Sequence, residues 1–394
     1  MLKEDVFIVG AARTAVGSFL GMYSNTPATR LGSTAIKAAV ERASVEPGDV
    51  EEAFMGCVLT GAQGQAPARQ ASLAAGIPDS TPCTTVSKVC GSGAQAVILA
   101  ARAVALGEVG IAVAGGMENM TMAPYAMPKG RTGYRMGQGI VVDEMVHDGL
   151  WDPYGDQHMG MFAEKCAEKY GFTREAQDEF AVESYKRALA AIDGGRFDAE
   201  IVPVVIKDRK KGEIELKLDE EPRKFNEEKM RKLRPAFKKD GTVTAGNASS
   251  INDGGAALVI ASADAVKAKN LKPLARIVGW AGHAQAPEWF TTAPVFAMKK
   301  NLERCGMKPG DIDLWEINEA FAVVTMAGMK ELELDHGVVN VNGSGCSIGH
   351  PIGCTGARLL VTLLHGMMDR SDKKGLSTMC IGGGEALSTI LELV

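Results

Sequence analysis

Short patterns from the first third of the chain recur, in the same order, in the last third. The recurrences pair Ile8-Val9-Gly10 with Ile277-Val278-Gly279, Gly93-Ala94 with Gly356-Ala357, and Gly115-Gly116-Met117-Glu118 with Gly382-Gly383-Gly384-Glu385. Each match is short, but all three are separated by roughly 265 residues, and self-similarity at one spacing is typical of an internal duplication. The sequence therefore predicts two related halves, the first of which carries a long insertion.

Strands and helices alternate along the chain. After a first strand at 6–9, the spacing of apolar residues from Ala28 predicts a helix that ends before Pro47-Gly48. Strands are then predicted at 52–59, 81–86 and 111–114, with helices at 67–75 and 94–103. The same kind of pattern returns near Asn252, so the sequence indicates two α/β halves.

The inserted stretch has a different character. Residues 119–160 are rich in Met, Gly, Pro and Tyr, which is typical of a long functional loop region. Helices are predicted at 161–170 and 174–192, the second with Thr173 as its N-cap. The following segment, 207–239, is dense in charge. Two interpretations of its lysines and arginines remain open, a solvated surface and a rim for a phosphorylated ligand.

Composition argues against several classes of function. The chain has 394 residues and a formal net charge of −5, which disfavours nucleic acid or an acidic membrane surface as a principal partner. No apolar run is long enough to span a bilayer, and we expect no targeting peptide before the first strand. The eight cysteines show neither a C-x-x-C pair nor a metal-site spacing. We therefore expect no metal site, and free thiols in a reducing cytoplasm.

Cys90 is predicted to lie at a strand-to-helix turn, in Val89-Cys90-Gly91-Ser92-Gly93. The glycines permit a tight turn and the close approach of a ligand. The free N–H groups at the start of the helix favour a thiolate, so the expected pKa of Cys90 is depressed. A thiolate at such a turn is suited to act as a nucleophile, and a buried structural cysteine is the alternative.

Three further segments place reactive groups at similar positions. His350 lies among glycines before a helix, Cys380 follows a strand predicted at 376–379, and Asn318 ends another strand. Two thiols, an imidazole and an amide are suited to acyl transfer. The imidazole would take the proton of one thiol, the second thiol would move a proton on a substrate carbon, and backbone N–H groups would hold an oxyanion. Spacing alone does not show that these groups meet.

The motifs that carry these groups resemble those of the thiolase family, specifically its short-chain acetyl-CoA acetyltransferase branch, over essentially the full length. They are Val89-Cys90-Gly91-Ser92-Gly93, Gly115-Gly116-Met117-Glu118-Asn119-Met120, Gly246-Asn247-Ala248-Ser249, Asn252-Asp253-Gly254, Asn318-Glu319-Ala320-Phe321, Gly349-His350-Pro351-Ile352-Gly353 and Cys380-Ile381-Gly382-Gly383-Gly384.

The resemblance implies a thiolase fold, with duplicated βαβαβαββ halves in a five-layered αβαβα arrangement and an inserted loop domain. The expected N-terminal half comprises residues 1–118 with 251–270, and the C-terminal half comprises residues 271–394. The expected loop domain, 119–250, would contain the CoA-binding region and a loop at 124–137 that pairs dimers into a homotetramer.

The resemblance also implies roles for the reactive groups. Cys90 would accept the acyl group and His350 would act as its base, while Cys380 would deprotonate or reprotonate the methyl of acetyl-CoA. Asn318 would hold a water that, with His350, stabilises an enolate oxygen. The backbone N–H groups of Cys90 and Gly382 would stabilise the thioester oxyanion.

Further residues match positions that contact CoA or the acyl group in the family. These are His158, Met159 and Ser249 beside the pantetheine, Arg223 near the CoA nucleotide, and the apolar contacts Leu150, Ala245, Phe290, Ala320 and Phe321. Coenzyme A is expected as substrate and product, with no other cofactor. Ser344-Gly345 and Glu385-Ala386 depart from the usual family residues. Phe290 takes the place of a pocket methionine in many acetoacetyl-CoA members.

The resemblance therefore implies reversible condensation of two acetyl-CoA to acetoacetyl-CoA and CoA, through a ping-pong acyl-cysteine route. The alternatives are a 3-ketoacyl-CoA thiolase for longer chains and, from another class, a thiolase-like acyl-CoA binding protein without turnover. The joint presence of Cys90, His350 and Cys380, with Asn318, disfavours the binding protein because binding requires none of them.

Overall fold

The computed structural model describes residues 4–208 and 212–394. Residues 1–3 and 209–211 lie outside these ranges, so the expectation about the extreme N-terminus and part of the charge-dense segment concern residues that are not described.

Strands and helices alternate in both halves, as predicted. The strands of the first half and the insertion are β1 (Val6–Thr14), β2 (Gly17–Ser18), β3 (Glu52–Gly56), β4 (Cys83–Val86), β5 (Ile111–Asn119), β6 (Tyr125–Ala126), β7 (Val142–Asp143), β8 (Trp151–Asp152), β9 (Gln157–His158), β10 (Ile201–Val202), β11 (Val204–Asp208), β12 (Gly212–Leu216) and β13 (Asn252–Ser262). The second half adds β14 (Ala275–Ala284), β15 (Leu314–Ile317), β16 (Lys374–Ile381) and β17 (Glu385–Leu393).

The helices follow the same repeated order. They are α1 (Ala28–Arg42), α2 (Pro67–Ala74), α3 (Ser92–Ala105), α4 (Met159–Tyr170), α5 (Arg174–Asp193), α6 (Glu227–Arg231), α7 (Ala263–Ala268), α8 (Ala293–Cys305), α9 (Ala322–Leu332) and α10 (Thr355–Arg370). Thr173 caps α5 as predicted, because its side chain accepts a hydrogen bond from the N–H of Ala176. The helix predicted at 161–170 begins two residues earlier, at Met159, with His158 as its N-cap.

The sheet order shows the duplication directly. The main path runs β15-β16-β17-β14-β1-β13-β5-β3-β4. Read from its centre to one edge, the path is β1-β13-β5-β3, and read from its centre to the other edge it is β14-β17-β16-β15. Each half therefore has its first strand at the centre and its last strand next to it. The halves join at an antiparallel contact of β1 with β14, where Phe7 lies opposite Arg276. A register shift interrupts β1 between Ile8 and Gly10, and one interrupts β14 between Ile277 and Gly279. The recurring tripeptide is thus a recurring β-bulge.

The elements stack in five layers. Helices α1 and α2 cover the outer face of the first half-sheet, and α8 and α9 cover the outer face of the second. Helices α3 and α10 lie between the two half-sheets, in a buried cluster that includes Val97 and Leu360. Strands covered on both faces are typically almost continuously apolar, and all nine residues of β5 are buried. The predicted thiolase fold class is confirmed, except that the third strand of the second half is reduced to a bridge between Trp315 and Val339.

The two central helices touch at recurring glycines. A Cβ on Gly93 would lie 2.8 Å from the backbone nitrogen of Ala357, and a Cβ on Gly356 would lie 2.4 Å from that of Ala94. Any larger residue would push the helices apart. The recurring pairs Gly93-Ala94 and Gly356-Ala357 therefore mark the contact between the start of α3 in the first half and the start of α10 in the second.

The insertion between β5 and β13 is fastened to the first half by buried charges. Arg13 on β1 donates from Nε to Glu200 at 2.6 Å and from Nη1 to Asp219 at 2.8 Å. Buried and hydrogen-bonded in this way, the arginine fixes the insertion against the sheet.

The domain boundaries at 118, 250 and 270 remain a prediction.

None of the helices within residues 4–208 and 212–394 combines the length and the apolar character needed to cross a membrane.

Candidate active site

A cavity of about 440 Å³ opens over the starts of the two central helices. Its walls come from both halves and from the insertion. They include Cys90, His350 and Gly382, together with Leu150, His158, Met159, Ala245, Ser249, Phe290, Ala320 and Phe321. The structure thus brings together eleven of the predicted site residues, and most of the wall is apolar.

Cys90 occupies a tight turn between β4 and α3. Val89 has a φ of 45°, an uncommon conformation for a β-branched residue that costs on the order of 1–3 kcal/mol. The Ser92 hydroxyl closes the turn by accepting from the N–H of Lys88 at 2.8 Å and donating to the carbonyl of Val89 at 2.7 Å. This turn presents the half-buried thiol to the cavity.

The expected depression of the Cys90 pKa is wrong. The backbone N–H groups of Gly382 and of Cys90 itself do face the sulfur and lower its pKa, but burial has the larger effect and raises the pKa to about 11. A thiolate loses more from desolvation here than it gains from two backbone donors. The resting nucleophile is therefore a thiol that needs a base.

His350 lines the same cavity as that thiol. Its Nδ1 is 2.6 Å from Oγ1 of Thr355, and the Thr355 hydroxyl donates to the carbonyl of Pro351 at 2.8 Å. Because that hydroxyl has a single proton, Nδ1 must carry its own proton and donate. Nε2 is then the unprotonated nitrogen. Burial, assisted by the positive charge of Arg358, lowers the pKa of His350 to about 3.

Asn318 lies behind His350 rather than on the wall. Its Nδ2 is 3.5 Å from Nε2 of His350, and its backbone N–H donates to the carbonyl of Thr378 at 2.9 Å. Its Oδ1 is buried and has no hydrogen-bond partner among the described residues. The amide is therefore next to the imidazole, and its oxygen is a buried acceptor that the described residues leave unsatisfied.

Cys380 is the buried neighbour of the site. It does not follow its strand, as predicted, but lies within β16 and pairs with Ala386 of β17. It packs in a cluster with Phe290, Ala320 and Phe321, which line the cavity. Burial, with the nearby Cys90, raises its pKa well above the ordinary value. Gly382 follows at the end of the strand.

The part of the cavity toward the insertion is aromatic. The His158 ring stacks on Phe237 with centroids 4.7 Å apart, and Phe237 meets Phe321 edge-on at 6.0 Å. The Ser249 hydroxyl donates to the carbonyl of Ala320 at 3.0 Å. Arg223 is exposed and is not on this wall, although Glu221, two residues earlier, is.

A smaller cleft of about 200 Å³ adjoins the main cavity and shares Glu221 and Ala245 with it. Lys224 and Lys229 lie along this cleft. The rest of the charge-dense segment is partly self-neutralised. Arg231, for example, bonds to Glu179 and Glu227 at 2.7 Å each. The solvated-surface interpretation therefore holds for residues such as Arg231, and the rim for a phosphorylated ligand stays a prediction for the lysines along the cleft.

Sequence reasoning missed two buried carboxylates that hold the site loops. Glu118 accepts from the N–H groups of Val58 at 3.0 Å and Gly353 at 2.9 Å. Glu319 accepts from Ser184 at 2.7 Å and from the N–H of Cys346 at 3.1 Å. Both carboxylates therefore fasten the segment that carries His350. Each sits inside a motif quoted above, but the motif does not reveal its partners.

Asn252 and Thr355 were also missed as contacts of His350. The backbone N–H of His350 donates to Oδ1 of Asn252 at 2.9 Å, and Thr355 holds the ring as described. The spacing of Thr355, five residues after His350 at the start of a helix, was the available signal.

No group of three or more His, Cys, Asp or Glu side chains within the described ranges is arranged to hold a metal ion.

Two family models match the chain end to end. The model "Thiolase, N-terminal domain" matches residues 6–264, and the model "Thiolase, C-terminal domain" matches residues 271–393. Curated relatives match over nearly their whole length. The acetyl-CoA acetyltransferase of Pseudomonas aeruginosa is 49% identical, covering 98% of this chain and 99% of the relative. That of Cupriavidus necator is 51% identical with the same coverage of both chains.

A solved structure shows the same fold. The crystal structure of the Bacillus anthracis acetyl-CoA acetyltransferase superimposes with a TM-score of 0.97 at 43% sequence identity, covering 99% of each chain. Taken with the two family models and the relatives near 50% identity, this likeness shows that the chain belongs to the thiolase family.

Proposed function

We propose that this protein is an acetyl-CoA C-acetyltransferase that interconverts two acetyl-CoA with acetoacetyl-CoA and CoA. The observation that carries the proposal is a single cavity whose wall includes Cys90, Gly382 and His350, with the backbone N–H groups of Cys90 and Gly382 directed at the Cys90 sulfur. The relatives named above bear the same activity in their names.

The first half-reaction transfers an acetyl group to Cys90. Nε2 of His350 takes the thiol proton, and the Cys90 sulfur attacks the thioester carbon. The N–H groups of Cys90 and Gly382 stabilise the resulting oxyanion. The bond between carbon and the CoA sulfur then breaks, and the CoA sulfur takes the proton of Cys380. The products are acetyl-Cys90, free CoA, protonated His350 and a Cys380 thiolate.

The second half-reaction forms the carbon–carbon bond. The Cys380 thiolate takes a methyl proton from a second acetyl-CoA, and the enolate oxygen is stabilised by His350 and by a water held on Asn318. The enolate carbon attacks the acetyl carbon, the bond to Cys90 breaks, and the departing sulfur recovers the proton from His350. All four groups return to their starting protonation states.

We assign coenzyme A to the two adjoining cavities. We assign the pantetheine to the aromatic part lined by His158 and Phe321, with Leu150, Met159, Ala245 and Ser249 as its other contacts. The nucleotide phosphates would lie at the smaller cleft, where Lys224 and Lys229 supply positive charge, with Arg223 nearby in the chain. The proposal includes no cofactor besides the CoA substrate.

Mass spectrometry of the intact protein tests the proposal. After incubation with acetyl-CoA, the wild type should gain one acetyl group, Cys90→Ala should gain none, and both condensation and thiolysis should be lost in that variant. Cys380→Ser should still be acetylated on Cys90, because the departing CoA sulfur can take its proton from water instead, but it should not form acetoacetyl-CoA. A Cys380→Ser protein that cannot be acetylated would show that Cys380 is indispensable to acyl transfer and would contradict its assignment as the residue required only for the carbon-bound proton.

We propose further that the protein works as a homotetramer in the cytoplasm. The segment expected to pair dimers exposes large apolar side chains, including Tyr125, Met127 and Met136, the last of which is 98% exposed. Apolar side chains exposed in one segment are typical of an interaction surface. The eight cysteines are free, which suits a reducing compartment. Light scattering and cell fractionation test the two parts separately.

A further inference from the structure

Arg358 is a buried cation with neither a hydrogen bond nor an ion pair to any residue that the structure describes. It lies on α10, three residues after Thr355, and its side chain is fully buried. None of its three guanidinium nitrogens has a hydrogen-bond acceptor among the described residues. Arg13 is equally buried, but it contacts both Glu200 and Asp219. The charge of Arg358 is therefore not neutralised by an ion pair at contact distance.

Other unpaired polar atoms belong to the same region. Oε2 of Glu316 and the hydroxyl of Ser377 are buried and have no partner within residues 4–208 and 212–394, and Ser344 is near enough to Glu316 to lower the pKa of that carboxyl. Glu316 and Ser377 lie directly opposite each other in the register of β15 and β16. Glu316 is also the carboxylate with the largest electrostatic effect on Arg358. Buried donors and acceptors that do not touch are commonly joined by ordered water.

Two residues that contact the His350 imidazole are close neighbours of this cluster in the chain. Along α10, Thr355 and Arg358 are neighbours on one face of the helix, and Thr355 holds Nδ1 of His350. Along the end of β15, Glu316 and Asn318 are two residues apart and point to the same side of the chain. The Asn318 amide is 3.5 Å from the other ring nitrogen.

We propose that Arg358 is a positioning residue for His350. Its buried charge adds to the effect of burial in disfavouring the imidazolium form in the resting enzyme, so that Cys90 rests as a thiol. The proposal rests on the acyl-transfer function above, in which His350 is the base for Cys90.

The charges around the imidazole agree with this role. Among the described residues, Arg358 is the charged group that lowers the pKa of His350, after the larger effect of burial, because a positive charge disfavours the imidazolium form. The carboxylates on the neighbouring segments are engaged elsewhere, Glu118 with the N–H of Gly353 and Glu319 with that of Cys346. Burial, together with Glu319 and Glu200, raises the pKa of Glu316 to about 8, so near neutral pH it only partly offsets Arg358. Cys354, beside Arg358, is uncharged because burial raises its pKa to about 12.

Alkylation of Cys90 by iodoacetamide tests the proposal without requiring turnover. If Arg358 keeps His350 neutral, then Arg358→Gln makes the imidazole more basic, and more Cys90 exists as a thiolate paired with imidazolium. We expect alkylation of the Cys90 peptide at pH 7.5 to become at least tenfold faster. Arg358→Lys retains the charge and should react at the wild-type rate.

His350 itself provides the decisive control. In Arg358→Gln/His350→Gln the acceleration should disappear, whereas a merely loosened structure would expose Cys90 whether or not His350 is present. Should Arg358→Gln fail to fold, Arg358→Gln/Glu316→Gln removes both charges at nearly constant volume and carries the same expectation. Wild-type alkylation in either glutamine variant, acceleration that persists without His350, or acceleration in Arg358→Lys would overturn the proposal. Failure of Cys90 acetylation by acetyl-CoA would instead refute the proposed function, and the alkylation rates would still report on Arg358.

Discussion

The contact between the two central helices offers a direct test of how packing sets the catalytic geometry. Gly93→Ala adds a Cβ that would lie 2.8 Å from the nitrogen of Ala357. Gly356→Ala adds one only 2.4 Å from the nitrogen of Ala94. In both cases the obstacle is backbone, which cannot rotate away as a flexible side chain can.

The size of the effect follows from these distances. To restore ordinary contact near 3.4 Å, the helices must separate by roughly 0.6 Å in the first variant and roughly 1 Å in the second. Overpacking of this kind costs about 1–3 kcal/mol, partly offset by the better helix propensity of alanine, about 1 kcal/mol. Because α3 begins just after Cys90 and α10 begins just after His350, the same separation moves the nucleophile from its base. A misplacement of about 1 Å can lower a rate by about a hundredfold.

Single-turnover acetylation of Cys90, measured alongside the melting temperature, tests this reasoning. We expect at least a tenfold loss of rate in Gly93→Ala and a larger loss in Gly356→Ala. Gly48→Ala is the matched control, because a Cβ there meets nothing within 4 Å and both properties should stay near wild type. If Gly356→Ala folds and acetylates at the wild-type rate, the helix contact does not set the distance between thiol and imidazole.

Three further predictions concern stability, assembly and substrate size. Burial raises the pKa of Glu118 from 4.5 to about 7, so its contribution to stability is complete at low pH and is lost as pH rises through about 7. As the pH rises from 5.5 to 8.5, the stability of Glu118→Gln relative to that of the wild type should therefore increase by at most about 3 kcal/mol, which is followed as the difference between the two melting temperatures. A difference that stays constant with pH would contradict this. Deleting residues 124–137 should leave dimers in light scattering, and a full-length protein that is already dimeric at micromolar concentration would contradict the tetramer. Because the buried Phe290 ring packs against Phe162 and Phe321 with centroids 6.1 and 6.4 Å away, 3-ketohexanoyl-CoA should have a kcat/KM at least tenfold below that of acetoacetyl-CoA. Equal turnover of the two would favour the broader 3-ketoacyl-CoA thiolase.

The elements of the fold were predictable from the sequence, but their spatial order was not. Alternating strand and helix patterns are local, and the recurrence of Ile8-Val9-Gly10 survives as a repeated bulge. The sheet order depends on pairing over long distances. Strand β13 lies between β1 and β5, although the whole insertion separates it from them in the chain. No local pattern in residues 252–262 specifies those neighbours.

In the site, residue types were predictable and their electrostatic states were not. The glycine-rich turns identified Cys90 and His350, the family resemblance added Gly382, and these three residues do share one cavity. The sign of the Cys90 pKa shift was wrong because the sequence shows the helix start but not the desolvation, which depends on tertiary packing. Glu118 was missed as a contact for a similar reason. Its partner Gly353 is 235 residues away in the chain.

The duplication explains why the site lies where it does. Packing two copies of one half through their central helices brings two helix starts together, and each start is preceded by a turn that can present a side chain. One turn presents Cys90 and the other presents His350, so neither half contains both groups. Ser92 and Thr355 open the two helices as equivalent residues, and both hydroxyls bond to a carbonyl of the preceding turn. Only Thr355 also receives a hydrogen bond from the base. The repeated scaffold thus supplies the proximity, and the differences between the copies supply the chemistry.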